Sequence, residues 1–134
     1  MPDVYEEIFE YASKYIKANS KYSPRVLKEV SETTKLPTVI IEQIEDSLNN
    51  ENLDKTGQLF NLVYEINIYA EDKGTIRKHI IVDELKKLVN DVFDEHYGMN
   101  RRANIKAPNA DLSVEKRYLR YESKINENKI IYRR

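Results

Sequence analysis

Between Gln58 and Ala70 the chain alternates with a period of two. Phe60, Leu62, Tyr64, Ile66 and Ile68 fall on one side, and Asn61, Val63, Glu65, Asn67 and Tyr69 on the other. That is the pattern of a β-strand. Such a strand would be roughly 43 Å long, so one end is expected to project beyond a small core or to pair elsewhere. The period then changes. From Thr75 to Tyr97, the residues Ile81, Leu85, Leu88, Val89, Val92 and Phe93 recur at helical spacing. This predicts an uninterrupted amphipathic helix with Lys86, Lys87, Asn90, Asp91 and Asp94 facing out. At about 1.5 Å per residue it would span roughly 34 Å, enough to cross a sheet face. Glu71–Gly74 is the turn into it, and Gly98 stands where a left-handed residue closes a helix.

The flanking segments are shorter. At the start, Tyr5, Ile8, Phe9, Ala12 and Ile16 form one stripe of a helix running from about Asp3 to Ala18, with Asp3 and Glu6 at capping-box spacing. Asn19–Tyr22 ends it, and Ser23-Pro24 marks a new start. Arg25–Thr34 is ambiguous: Val26, Leu27 and Val30 fit a helical face, whereas Val30, Thr33 and Thr34 favour a strand. Leu36-Pro37 breaks the chain, and Thr38–Ser47 reads as a strand around Val39, Ile40, Ile41 and Ile44. A polar loop rich in Asn follows at Asn49–Lys55. After the second helix, Ala103, Ile105 and Ala107 alternate as a short strand, and Pro108–Asp111 is a turn. Val114–Lys124 and Lys129–Arg133 then form a hairpin through Asn126-Glu127-Asn128. The expected fold class is α+β: a mainly antiparallel sheet of four to five strands against one long helix, plus an N-terminal helix. It forms a single domain over residues 1–134, with the sheet-and-helix core at 36–134.

Composition sharpens the picture in a few places. With 134 residues the chain is expected to form one domain. Mean hydropathy is −0.70, and no run of about 18 apolar residues predicts a membrane span. The acidic, helical N-terminus is unlike a secretory or mitochondrial signal. There is no cysteine, hence no disulfide, thiolate metal ligand or thiol nucleophile. The net charge of −1 is divided unevenly: residues 1–100 hold 12 Lys+Arg against 19 Asp+Glu, and residues 101–134 hold 10 against 4. A basic strand layer beside acidic helices suits contacts between neighbouring elements or neighbouring subunits; a polyanion site is the other reading.

Candidates for chemistry are sparse. His79 and His96 lie nearly five turns apart on one helix and cannot share a metal within a subunit. His79 and Asp83 are spaced to pair on the surface. Three glycines cannot build a phosphate loop. Glu42, Glu45 and Asp46 read as a solvated strand end rather than an acid–base pair. No catalytic, metal or cofactor-binding residue is therefore assigned, and no cofactor is expected. Ten tyrosines suit either an interface or a half-buried sheet face; Tyr64, Tyr69, Tyr118, Tyr121 and Tyr132 fall in strands. Arg101, Arg102, Arg117, Arg120, Arg133 and Arg134, with Tyr118 and Tyr121 among them, could form a basic aromatic surface for nucleic acid. Lys116–Tyr121 lacks the glycine of an RRM signature.

The segment from Pro37 onward resembles the tail-terminator, or tail-completion, proteins of long-tailed bacteriophages. The similar pieces are the Pro-led strand Pro37–Glu45, the phrase Tyr64-Glu65-Ile66-Asn67-Ile68-Tyr69-Ala70, and a helix ending His96-Tyr97-Gly98-Met99. They continue with Arg117-Tyr118-Leu119-Arg120-Tyr121 and a terminal Ile130-Ile131-Tyr132-Arg133-Arg134. The leading helix also fits; Arg25–Thr34 does not. The resemblance implies a non-enzymatic virion subunit, made in the host cytoplasm. It forms a ring, usually sixfold, at the head-proximal end of the tail tube and joins it to the head connector. Expected partners are copies of the chain, the tail-tube protein and the head-closure protein, with DNA passing through the lumen without sequence-specific binding and no membrane contact. Contact regions are expected at Asn49, Asn50, Asn52, Asp54 and Lys55, and at Arg101, Arg102, Arg133 and Arg134. The alternatives are another neck or minor tail component, or a nucleic-acid-binding regulator using the basic C-terminal sheet.

Overall fold

The computed structural model describes residues 4–29, 35–44, 48–49, 59–107, 113–126 and 131–132. In chain order the elements are α1 (Tyr5–Asn19), β1 (Arg25–Leu27), β2 (Thr38–Ile44), β3 (Leu48–Asn49), β4 (Leu59–Glu71), α2 (Lys78–Asn90), β5 (Asn100–Ala107), β6 (Val114–Asn126) and β7 (Ile131–Tyr132). Five strands lie side by side in the order β1-β2-β4-β6-β5, while β3 extends the β2 side of β4 and β7 pairs with β6. The expected α+β class holds, with one qualification. The sheet is mixed, because β1 runs parallel to β2, with Arg25, Val26 and Leu27 opposite Thr38, Val39 and Ile40. The ambiguous segment after Pro24 thus begins as a strand, drawn into place by the Arg25 N–H donating to the Pro37 carbonyl at 3.1 Å. Residues 30–34 lie outside the described residues.

The long alternating strand does not project. All thirteen residues of β4 are in register with β6, from Leu59 opposite Asn126 to Glu71 opposite Val114. On its other side β4 pairs with β2 from Val63 to Tyr69, and with β3 at Leu59 and Phe60. The length expected to reach outward is satisfied by an equally long partner in the same chain, which makes β4 the centre of the sheet.

The two faces of β4 separate as the alternation predicts. Leu62, Tyr64, Ile66, Ile68 and Ala70 are fully buried under the helices. Ile81, Leu85, Leu88, Val89, Val92 and Phe93 come down onto them from above, and Ile8, Ala12 and Ile16 of α1 join the same core. Burying these side chains is the main stabilising term, of the order of 1.5–3 kcal/mol for each large aliphatic or aromatic group.

The second helix departs from expectation at both ends. It begins at Lys78 rather than Thr75. Lys73 and Ile76 close a tight turn by exchanging backbone bonds of 2.9 and 3.0 Å, with Gly74 at φ 61°. Asp72 then accepts from the Lys78 N–H at 2.9 Å, satisfying one donor of the first turn. After 13 residues the α-helix widens into 6 residues of π-helix, Asp91–His96, and Tyr97 N–H reaches back five residues to the Val92 carbonyl at 3.0 Å. The wider turn keeps Val92 and Phe93 both buried. It also changes which residues face out: Asn90 and Asp91, expected in solvent, hold the hydroxyls of Tyr121 and Tyr15 at 2.9 and 3.1 Å. Asp94, also expected to face out, is half-buried. Gly98 at φ 68° ends the helix as expected.

At the other terminus, α1 starts at Tyr5 after an N-cap Val4 that makes no side-chain cap bond. Asp3 lies outside the described residues. The expected capping box with Asp3 therefore lies outside the described residues; Glu6 pairs with Lys28 beyond β1.

Candidate functional site

The helices cover one face of the sheet, so every second residue of β4, β5 and β6 points to the other. Register places Glu65 opposite Arg120 and Asn67 opposite Tyr118 on β4 and β6, and Ala103 and Ile105 of β5 opposite Arg120 and Tyr118. Here the charges form a ladder across three strands. Arg120 lies 3.9 Å from Glu65 on β4 and 3.4 Å from Glu122 on its own strand; Arg102 on β5 reaches Glu122 at 2.9 Å. The Tyr118 hydroxyl donates to Glu65. Burial, then this bond, pushes the Tyr118 hydroxyl up, while Arg120 pulls the other way. Lys116 sits over the Tyr69 ring, 5.6 Å from its centroid, at the end of the same face.

A β-bulge builds the β5 end of the ladder. Arg101 is opposite Tyr121 and Ala103 opposite Arg120, which leaves Arg102 as the extra residue without a partner in register. The bulge lets the Arg102 guanidinium turn to Glu122. Beyond it the apolar alternation of Ala103 and Ile105 is real, but it lies on the helix-free face, and Ile105 is 54% exposed.

Arg117 and Tyr121 lie on the opposite, helix-covered side. Tyr121 is fully buried, with its ring stacked 5.3 Å from Phe93. Arg117 lies 3.8 Å from the buried Glu115, whose second cation is Lys106 at 3.9 Å. Arg117 also donates to Asn104 Oδ1 at 3.3 Å. The basic aromatic surface proposed for nucleic acid is therefore divided between two faces. Arg117 and Arg120 are each held against carboxylates.

The tyrosines turn out to be cross-links. Besides Tyr15, Tyr118 and Tyr121, Tyr64 donates to Gln43 at 2.6 Å and Tyr5 to the Ile41 carbonyl. A further aromatic group, which period and spacing do not reveal, forms where α1 meets the π-helix. Tyr11 stacks on His96 at 4.1 Å, with Tyr97 edge-on to both at 5.8 and 4.6 Å. Asp83, read as a partner of His79, has an ion pair with Lys86 at 3.9 Å. Among the described residues no group of three or more His, Cys, Asp or Glu is arranged to hold a metal ion, and no helix is long and apolar enough to cross a membrane.

Of the expected contact residues, Arg101 and Arg102 are exposed on β5, and Asn49 lies in β3 opposite Leu59. Asn50, Asn52, Asp54, Lys55, Arg133 and Arg134 lie outside the described residues, as do Glu45, Asp46 and the turn at 108–111. The ladder residues Glu65 and Glu122 were missed. Their odd and even places in two alternating strands were visible, but the register that joins them was not.

Comparison with protein-family models and with curated proteins finds no match to this chain.

Proposed function

We propose that this chain is a non-enzymatic assembly subunit of a bacteriophage virion. In this reading it is a tail-terminator or tail-completion protein that forms a ring at the head-proximal end of the tail tube and joins it to the head connector. The observation that carries the reading is the element order. A leading helix, a Pro-led strand, a long central strand, a helix ending at His96-Tyr97-Gly98-Met99, an Arg-containing strand and a last short strand paired with it come in that order, with β1, β3 and β5 interposed, and this order supports the resemblance to the family. A sheet with one face under helices and the other carrying a charge ladder also suits a part whose product is surface. The ring would be sixfold by the same resemblance, with DNA passing through the lumen without base-specific contacts.

A nucleic-acid regulator is less well supported, because among the described residues Arg117 and Tyr121 lie on one face and Tyr118 and Arg120 on the other, with Arg102, Arg117 and Arg120 paired with carboxylates. Native mass spectrometry over a concentration series, with and without a short DNA duplex, separates the two. A closed ring that ignores DNA is the expected result. A monomer that binds duplex in low salt and releases it in high salt overturns the proposal in favour of the regulator.

A further inference from the structure

The charge ladder is one segment of a row that crosses the whole sheet. Glu42 on β2 is in register with Glu65 on β4, Glu65 with Arg120 on β6, and Arg120 with Ala103 on β5, beside the bulged Arg102. The row has a sign: carboxylates at the β2 end and guanidinium groups at the β5 end. Its ends are exposed at Glu42 and at Arg102; Arg101, in register with Tyr121, is exposed beside the bulge on the other face of the same edge strand. Glu29 reinforces the acidic end; after burial, Glu42 and Glu29 are the charges that push the Tyr5 hydroxyl up to about 12. Lys106, also exposed on β5, stands on the other face, paired with Glu115 at 3.9 Å.

We propose that the cationic β5 edge of one copy, centred on Arg102 with Arg101 beside it, docks head to tail against a second copy in the same orientation, at the acidic end of β2 beyond the short edge strand β1, where Glu42 and Glu29 stand. The inference rests on the ring reading above and assigns its subunit contact. Charge complementarity selects the occupant: the two ends of one row are opposite in sign and lie at the same height, so an equally oriented copy completes the row as carboxylate, carboxylate, guanidinium, guanidinium and repeats it. A patch that matches a different patch on the opposite edge gives a heterologous contact, which closes into a ring or runs on as a filament.

The contact is made by side chains rather than by adding a strand. On the acidic edge the Ile41 carbonyl already accepts from Tyr5, and on the cationic edge the bulge at Arg102 interrupts the ladder. Both features block indiscriminate strand pairing. The long central strand is enclosed on both sides, so it cannot extend the sheet into a neighbour.

Two variants test this, Arg101→Glu/Arg102→Glu and Glu29→Arg/Glu42→Arg, with circular dichroism confirming that each folds. Each alone is expected to need at least about tenfold higher concentration to assemble than the unaltered chain, as read by native mass spectrometry. Their equimolar mixture is expected to recover assembly, because each then meets an opposite charge at both edges. Unchanged assembly of both variants, or no recovery in the mixture, overturns this contact while leaving the ring reading in place. An unaltered chain that stays monomeric alone and on isolated tail tubes overturns both. Replacing Arg101 and Arg102 by Lys keeps the charge, and loss of assembly there as complete as in the Glu variant counts against a charge-driven contact.

Discussion

The Tyr121 hydroxyl donates to Asn90 Oδ1 at 2.9 Å from a fully buried ring, joining the middle of β6 to the last turn of α2 just before it widens. Removing only the hydroxyl, in Tyr121→Phe, takes away the donor of a half-buried amide. We expect a loss of about 1 kcal/mol, the lower part of the range for an unmet buried group, because water can reach Asn90. Tyr121→Ala should cost about 3–5 kcal/mol through the cavity beside Phe93. Urea unfolding at fixed pH measures both, and equal losses would mean that ring packing contributes little.

Alkaline pH should weaken the fold through its tyrosines. Burial pushes Tyr5 and Tyr97 up to about 12, with Glu42 and Glu29 adding to the first and Glu7 and Tyr11 to the second. An unfolded tyrosine ionises near pH 10. Because the native values are raised, this contribution is intact below about pH 10 and is lost as pH rises toward about 12. The urea midpoint of a Tyr5→Phe/Tyr97→Phe variant should fall less over that window than that of the unaltered chain. Parallel curves would refute the assignment.

Two isoleucines of similar appearance in the sequence should behave oppositely. Ile66 is fully buried at the centre of β4, and Ile105 is exposed on β5. Ile66→Ala is expected to cost about 2–5 kcal/mol and Ile105→Ala no more than about 0.5 kcal/mol, by chemical denaturation.

Gly98 has φ 68°, where a side chain crowds the following carbonyl. Gly98→Ala should destabilise by about 1–2 kcal/mol. Gly98→Asn should cost less, since Asn tolerates this conformation better. Thermal melts of the two variants compare them, and an Ala variant as stable as the unaltered chain would show that the helix end relaxes.

The ladder should matter little to stability. Its side chains are between a quarter and two-thirds exposed, where ion pairs contribute about 0–1 kcal/mol. A double-mutant cycle of Glu65→Gln with Arg120→Met is expected to give a coupling within that range, shrinking as salt is added. A coupling of several kcal/mol would mark the pair as part of the core.

The two helices and the longer strands were legible because period alone declares them, whereas the short β1 stayed undecided between helix and strand and Asn49 of β3 was read as loop. Strict alternation through β4 fixed both its faces, and the stripe from Ile81 to Phe93 named the residues that cover it, since burial against one layer demands one apolar side. What period cannot carry is which element lies beside which. The parallel pairing of β1 depends on a bond from Arg25 to Pro37, and the enclosure of β4 on a strand more than forty residues later. The π-helical turn holds Asp91 against the Tyr15 hydroxyl and Phe93 against the Tyr121 ring. The row from Glu42 to Arg102 exists only once three registers and a bulge align four strands. Local patterning decided the elements and their buried sides; only the tertiary structure decided the pairings, because these are set by contacts between residues that the chain order keeps far apart.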